Sequence, residues 1–397
     1  MNYEIKDFEF INASEREDIE STRQSLTYWR DAWRRLKKNK MAIAGLIGVI
    51  IIILFGVCGP WFTPYSYSDQ QPDFANTPPS FSIYKIGDNT YVYLTKQYRL
   101  LLTDERGKFI ERIELKESNP LEKEYVYNYQ GEDIILDYSY RTDPSKKDLG
   151  IDFTLTYKGV ETNKEYKSVS NKTFPLGSDN LGRDLLARLM YGARISLTVA
   201  FVAAIVNLII GVIYGSISGL KGGIIDDVMM RIVDIINSIP LVLYVILLMV
   251  ILNNRGIGTI ILTLCTVYWV GMARQVRGQV LSLKEQEYVL AARTIGVSQS
   301  KIVLKHLIPN AMGPIIVAMT MMIPSAVFTE SFLSFIGLGV SAPQASWGTL
   351  ANDALSGIQS YPYQLFFPSL AIALTMLSFN FLGDGLRTAL DPRQRRG

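Results

Sequence analysis

Six blocks of apolar residues, near 41–62, 194–219, 231–252, 257–273, 313–337 and 365–386, punctuate a chain that is otherwise polar. Each runs roughly 17 to 25 residues, the length that carries a helix across the hydrocarbon core of a bilayer. The third and fourth are parted only by Asn253-Asn-Arg-Gly256, which predicts a hairpin between antiparallel helices. Pro240 inside the third predicts a kink there. Between the first and second blocks the period changes from helical to two. Ile151, Phe153, Leu155 and Tyr157 alternate with Asp152, Thr154, Thr156 and Lys158, and Tyr125, Tyr127 and Tyr129 alternate likewise. Gly87-Asp-Asn, Asp104-Glu-Arg-Gly107 and Gln130-Gly-Glu supply turns between these runs. The pattern predicts a β-rich domain within 63–175, with about 90 residues to build a modest core. Ahead of the first block, after a charged tail over 1–20, Leu26, Trp29, Trp33 and Leu36 recur at helical spacing among Arg and Lys. They predict an interfacial helix with its aromatics at headgroup depth.

Composition narrows the class. Charged residues make up only 19% of 397, too few for an ordinary soluble domain of this size. The net charge of +3 is unevenly placed. Arg30, Arg34, Arg35, Lys37, Lys38 and Lys40 precede the first block, and Lys221 and Arg231 flank the turn before the third. Arg274, Arg277, Lys284, Arg293, Lys301 and Lys305 lie between the fourth and fifth, and Arg387, Arg393, Arg395 and Arg396 follow the sixth. On the other side Arg255 stands alone, and 338–364 holds neither Lys nor Arg. This is the asymmetry of a multi-pass membrane protein with both termini in the cytoplasm, not a nucleic-acid footprint. Cys58 and Cys265 both fall inside apolar blocks, which excludes a disulfide framework, and the single histidine, His306, excludes a His-rich metal site. The first block follows a long charged leader and is too long for a signal h-region, so no cleavable signal peptide is expected.

Candidate functional residues fall in three groups. The polar stretch Glu287 to Asn310 reads as a short helix, a glycine stop at Gly296, a second helix capped by Ser298, and a break at Pro309. That is a compact knob suited to docking a partner. Glu330 is the one carboxylate well inside an apolar block, and it reads either as pathway lining or as a structural hydrogen-bond partner. Asn207 and Asn380 are weaker pathway candidates, with interhelical bonding the alternative. Asp227, Arg231 and Asp234, at i, i+4 and i+7, predict an ion network on one helix face. Gly211, Gly215 and Gly219 predict a packing seam. No Gly-x-x-x-x-Gly-Lys-Ser/Thr loop is present, so the chain is not expected to bind nucleotide, and catalytic, metal and cofactor sites are expected to be none.

The 287–310 stretch resembles the EAA loop of binding-protein-dependent ABC importer permeases. Ala291, Ala292, Gly296 and Pro309 match its pattern, with Leu290 where many members carry Glu and Glu287 one turn earlier. The leader Trp29 to Lys40, Pro175-Leu-Gly-Ser-Asp-Asn-Leu-Gly-Arg-Asp184, Asp227 to Pro240, Glu330 to Gly339, Ser346-Trp-Gly348 and Asn380 to Arg387 with Leu390-Asp-Pro392 resemble the C-type subunit of its oligopeptide/dipeptide branch. The resemblance implies an α-helical membrane protein with six transmembrane helices of the type I ABC importer permease kind. Its expected parts are a tail and interfacial helix over 1–40, helix 1 over 41–62, an extracytoplasmic β-rich insertion over 63–175, and a permease core over 176–397 with the EAA loop at about 274–312. It further implies a homologous second permease subunit, two ATPase subunits that carry ATP and Mg, an extracytoplasmic solute-binding protein, and a bacterial cytoplasmic membrane. Glu287, Ala291, Ala292, Gly296, Val297, Ser298 and Pro309 would couple to the ATPases. Family knowledge assigns the insertion no role; its tyrosines suit either recognition or a small core. The expected function is uptake of oligopeptides. The alternatives are a dipeptide, nickel or other small-solute permease of the same branch, or a membrane receptor, which six spans without a cytoplasmic effector domain disfavour.

Overall fold

A computed structural model describes residues 28–141, 151–254 and 256–391. The tail over 1–20, Leu26, Arg255, Pro392, Arg393, Arg395 and Arg396 lie outside the described residues. The helices are α1 (Tyr28–Lys38), α2 (Lys40–Val57), α3 (Leu185–Lys221), α4 (Gly223–Ser238), α5 (Leu241–Leu252), α6 (Ile257–Val267) and α7 (Trp269–Leu283). They continue as α8 (Glu287–Thr294), α9 (Gln299–Ile302), α10 (Ile308–Leu333), α11 (Trp347–Asp353) and α12 (Tyr363–Leu390).

Among the described residues five segments are long and apolar enough to cross a membrane: Lys40–Val57, Leu185–Lys221, Ile257–Leu283, Gln299–Leu338 and Tyr363–Leu390. The third expected block is not one helix but two, α4 and α5, bent by 85° at Ile239-Pro240. Ile239 is extended, at φ −84° and ψ 124°, as steric conflict with a following proline ring demands. The α3 helix starts at Leu185, nine residues ahead of the expected block, because Asp184 accepts the amides of Leu186 and Ala187 and fixes the first turn. Its 37 residues reach about 55 Å, well past an apolar core of roughly 30 Å, so its first turns project beyond the bilayer.

One core joins α2, α3, α10 and α12 through Leu189, Leu197, Val327 and Phe379, with Trp347 of α11 closing one end. The expected glycine seam is real. Gly211, Gly215 and Gly219 lie against Met272, Val276 and Val280 of α7, and a Cβ on Gly219 would stand 3.0 Å from both the Arg277 carbonyl and Val280. Asn39 caps α2 through Met41 and Ala42, and Leu36 of α1 packs on Ala42 and Ala389, leaving Trp29 and Trp33 exposed.

The segment between α2 and α3 forms two five-stranded antiparallel sheets. One has the order β10 (Lys167–Ser170), β1 (Ser80–Lys85), β2 (Tyr91–Leu94), β3 (Leu100–Thr103), β4 (Phe109–Arg112). The other runs β5 (Glu114–Asn119), β6 (Glu124–Tyr129), β7 (Glu132–Asp137), β8 (Thr154–Tyr157), β9 (Val160–Thr162). The period of two divides the side chains as the pleat requires. Val92, Leu100 and Leu102 meet Tyr127, Ile134, Leu136 and Leu155 between the sheets, while Tyr91, Leu101, Phe81 and Phe109 pack on Phe174 on the other face. Tyr91 and Tyr127 are buried in these cores, and Tyr93, Tyr125 and Tyr129 pack half-buried against them. Burial pushes the Tyr127 and Tyr93 phenols well above their ordinary range.

A candidate coupling site and two polar clusters

At the end of the bundle away from the sheets, α8 closes in a two-bond helix terminus. The Val297 amide donates to the Ala292 carbonyl and the Gly296 amide to that of Arg293, both at 3.0 Å. Gly296 takes φ +80°, and no atom lies within reach of a Cβ built there, so backbone conformation alone selects glycine. Val289, Ala292, Ile302 and Leu307 are buried against Met272, Val276 and Val280 of α7 and Ala311 and Ile315 of α10. The far side is bare: Ile295 at the apex is 80% exposed, and Leu304 is 69% exposed. Glu287 and Ala291 also face outward. The result is a rigid knob with an uncovered apolar tip.

Two sequence expectations about this region, the Ser298 cap and the Pro309 break, are corrected. Ser298 occupies the position before α9, but its hydroxyl makes no capping bond; the backbone alone starts the turn. Of the two alanines, only Ala292 is packed. Pro309 does not end the second helix. A π turn at Val303–Leu307 lets the Ile308 amide donate to the Val303 carbonyl, and Pro309 then lies in the first turn of α10, where no amide is required. The second knob helix is therefore continuous with the next span.

The expected network of Asp227, Arg231 and Asp234 does not form. These three residues are exposed, and helix phase turns Asp226 inward instead, seven residues ahead of the buried Val233. Arg277 of α7 grips Asp226 with two bonds of 2.6 Å, and the Ser218 hydroxyl of α3 bonds the same carboxylate. Asp234 pairs with Arg274 at 2.8 Å. Adjacent carboxylates at 226 and 227 look alike in sequence; the phase of Val233 was the available signal.

Glu330 is wholly buried. Its carboxylate accepts from Ser196 of α3 and Ser334 beyond α10, each at 2.8 Å, while Ser346 donates to Ser334 and the Trp347 amide donates to Ser196. The cluster ties α3, α10 and α11 together. Asn207 donates to the Leu264 carbonyl at 3.2 Å, an interhelical bond, and Asn380 is half-buried. None of the three lines a cleft of about 820 Å³ that opens among Tyr268, Gln275, Pro314, Met321, Ser325 and Arg387.

A second cluster, formed by Arg188 and the 175–184 stretch quoted above but not singled out as a site, lies where α3 begins. Buried Asp179 accepts from Arg183 at 2.7 Å and Arg188 at 2.6 Å. Next to it, burial pushes the Asp184 carboxyl up to about 6, against the downward pull of the Ala187 and Leu186 amides and the Thr63 hydroxyl.

A helical multi-pass bundle with a glycine-terminated knob defines a membrane permease component. Residues 211–396 match the family described as binding-protein-dependent transport system inner membrane component, and residues 27–79 match the N-terminal TM domain of oligopeptide transport permease C. The dipeptide transport system permease protein DppC of Bacillus subtilis is 40% identical over 388 residues, covering 97% of this chain and 92% of the relative. The oligopeptide transport system permease protein OppC of the same organism is 39% identical over 385 residues, covering 97% and 95%. Escherichia coli OppC is 50% identical over 219 residues, covering 55% of this chain and 72% of the relative. The chain belongs to the binding-protein-dependent transport inner-membrane family and is an ABC-transporter permease.

Proposed function

We propose that the chain is the non-catalytic transmembrane subunit of an ATP-driven importer that takes up oligopeptides handed over by an extracytoplasmic solute-binding protein. The observation that carries this reading is the knob, nailed to α7 and α10 on one side and bare at Ile295 on the other. A rigid lever with an open apolar tip transmits force from a partner; a loop packed on all sides does not. The partners are two ATPase subunits, which hold ATP and Mg, at the knob, and a homologous permease subunit beside the spans. With the bent pair α4 and α5 counted as one crossing, the count is six, which is consistent with both termini and the knob sharing one side, and the concentration of Lys and Arg on that side supports the cytoplasmic assignment. The β-sheet domain then lies outside the cytoplasmic membrane of a bacterial cell.

Dipeptide uptake is the second reading, favoured by the Bacillus relative named for dipeptides. Purifying the assembled transporter with its binding protein and identifying the co-purified solute by mass spectrometry separates the two. Recovered peptides of three or more residues support the first, dipeptides the second, and a solute without peptide bonds contradicts both.

A further inference from the structure

A cleft of about 490 Å³ opens at the sheet-bearing end of the bundle, between the 180–183 turn, the end of α10 and α11. Its floor carries Arg183 and Arg188, which are 5% and 2% exposed. These two guanidiniums share one buried carboxylate, Asp179. Among the described residues the other carboxylate on them is Asp353, at the rim, half-exposed and 3.5 Å from Arg188 Nη2. Arg188 Nε, fully buried, has no hydrogen-bond partner among the described residues. A buried donor left unpaired is costly, and Nε with Nη2 is one edge of the fork that a carboxylate grips side-on.

We propose that this cleft is a carboxylate subsite that receives the free C-terminal carboxylate of a peptide, displacing Asp353 from Arg188. Asp353 is the internal occupant of that edge, held loosely enough to leave. The volume lies in the range of small-ligand pockets, roughly 300–1,000 Å³, and is more than one acidic side chain of a docked protein would fill. Asn180 and Gln344 are exposed on its walls, supplying amide groups for a peptide backbone. A terminal carboxylate is the one anion that unmodified peptides share whatever their sequence, which suits a sequence-tolerant importer. The proposal rests on the peptide reading above.

The test uses the assembled transporter in nanodiscs, without binding protein, and equilibrium binding of tri-alanine and tri-alanine amide. Tri-alanine should bind about tenfold more tightly than its amide, the loss expected when one charged pair is removed. Asp353→Asn, a rim variant that leaves the buried pairs intact, should tighten tri-alanine severalfold and leave the amide unchanged. Equal affinity for acid and amide in both proteins, with uptake of both in ATP-loaded vesicles supplied with the binding protein, overturns the subsite and leaves the peptide reading standing. Uptake of neither peptide in those vesicles overturns that reading too. Tighter capture of the binding protein by Asp353→Asn, with no change for tri-alanine, would mean that the cleft takes a protein carboxylate instead, and also overturns the proposal.

Discussion

Glu330 is most simply a fastener. Removing its carboxylate strands the hydroxyls of Ser196 and Ser334 in a dry interior, at about 1–3 kcal/mol for each buried group left unpaired. Glu330→Ala should therefore lower the amount and thermal stability of folded subunit, while uptake per folded transporter stays near the wild-type rate. A falling normalised rate with protein retained would move Glu330 to the pathway. Asp184 predicts a pH slope. Its carboxyl titrates near 3.8 when unfolded and at about 6 in the fold. Between these values the folded state holds a proton that the unfolded chain has lost, so stability rises as pH falls from about 6 toward 4. The cost of the buried charge is fully present above 6. Asp184→Asn should flatten this part of the profile, read as thermal unfolding from pH 4 to 7; an unchanged slope would assign it to another group. Among single residues, Gly296 was legible because a left-handed helix end selects glycine on backbone grounds alone. The Ser298 hydroxyl was not, because a side-chain rotamer leaves no mark on residue type, and Asp226 was legible only through its helix phase with Val233.

At the scale of elements, periodicity located more than it bounded. The sheets were readable because alternation and Gly-containing turns coincide, and residues 130 and 131 do turn β6 into β7. Pro240 was read correctly as a bend, Pro309 wrongly as a stop. The difference is the π turn, which removes the need for the missing amide and is invisible to propensity. The α3–α7 seam yields a test. At Gly215 a Cβ would stand 2.9 Å from that of Val276 and 3.0 Å from the Arg277 amide, backbone that cannot give way cheaply. Gly215→Leu should abolish accumulation of folded subunit, measured by size-exclusion of the tagged complex, whereas Gly278→Ala, in open space, should not. Equal yields would mean that the helices do not pack here.

For the whole molecule, the β domain hangs from two neighbouring strands. Ser80 and Ser170 are partners across β1 and β10, and below them the Asn171 amide donates to the Pro79 carbonyl. Lys96 reaches the Ser360 carbonyl at 2.7 Å and Gln97 the Tyr361 hydroxyl at 2.8 Å, which braces the domain on the segment before α12. Replacing 81–169 with a short Gly/Ser linker should leave the helical core and ATPase assembly intact, because the junction ends are already adjacent. If the domain caps the entrance, binding-protein affinity or basal ATPase activity changes; wild-type values for both, with wild-type uptake, would make it dispensable. The central claim concerns the knob, and uptake per ATP hydrolysed tests it most directly, in vesicles holding the complete transporter with Gly296→Pro. Proline removes the N–H that donates to the Arg293 carbonyl and forbids the positive φ. The expected result is assembled protein that still hydrolyses ATP but imports little solute per ATP; an uptake-to-ATP ratio equal to wild type would rule out the knob as the lever.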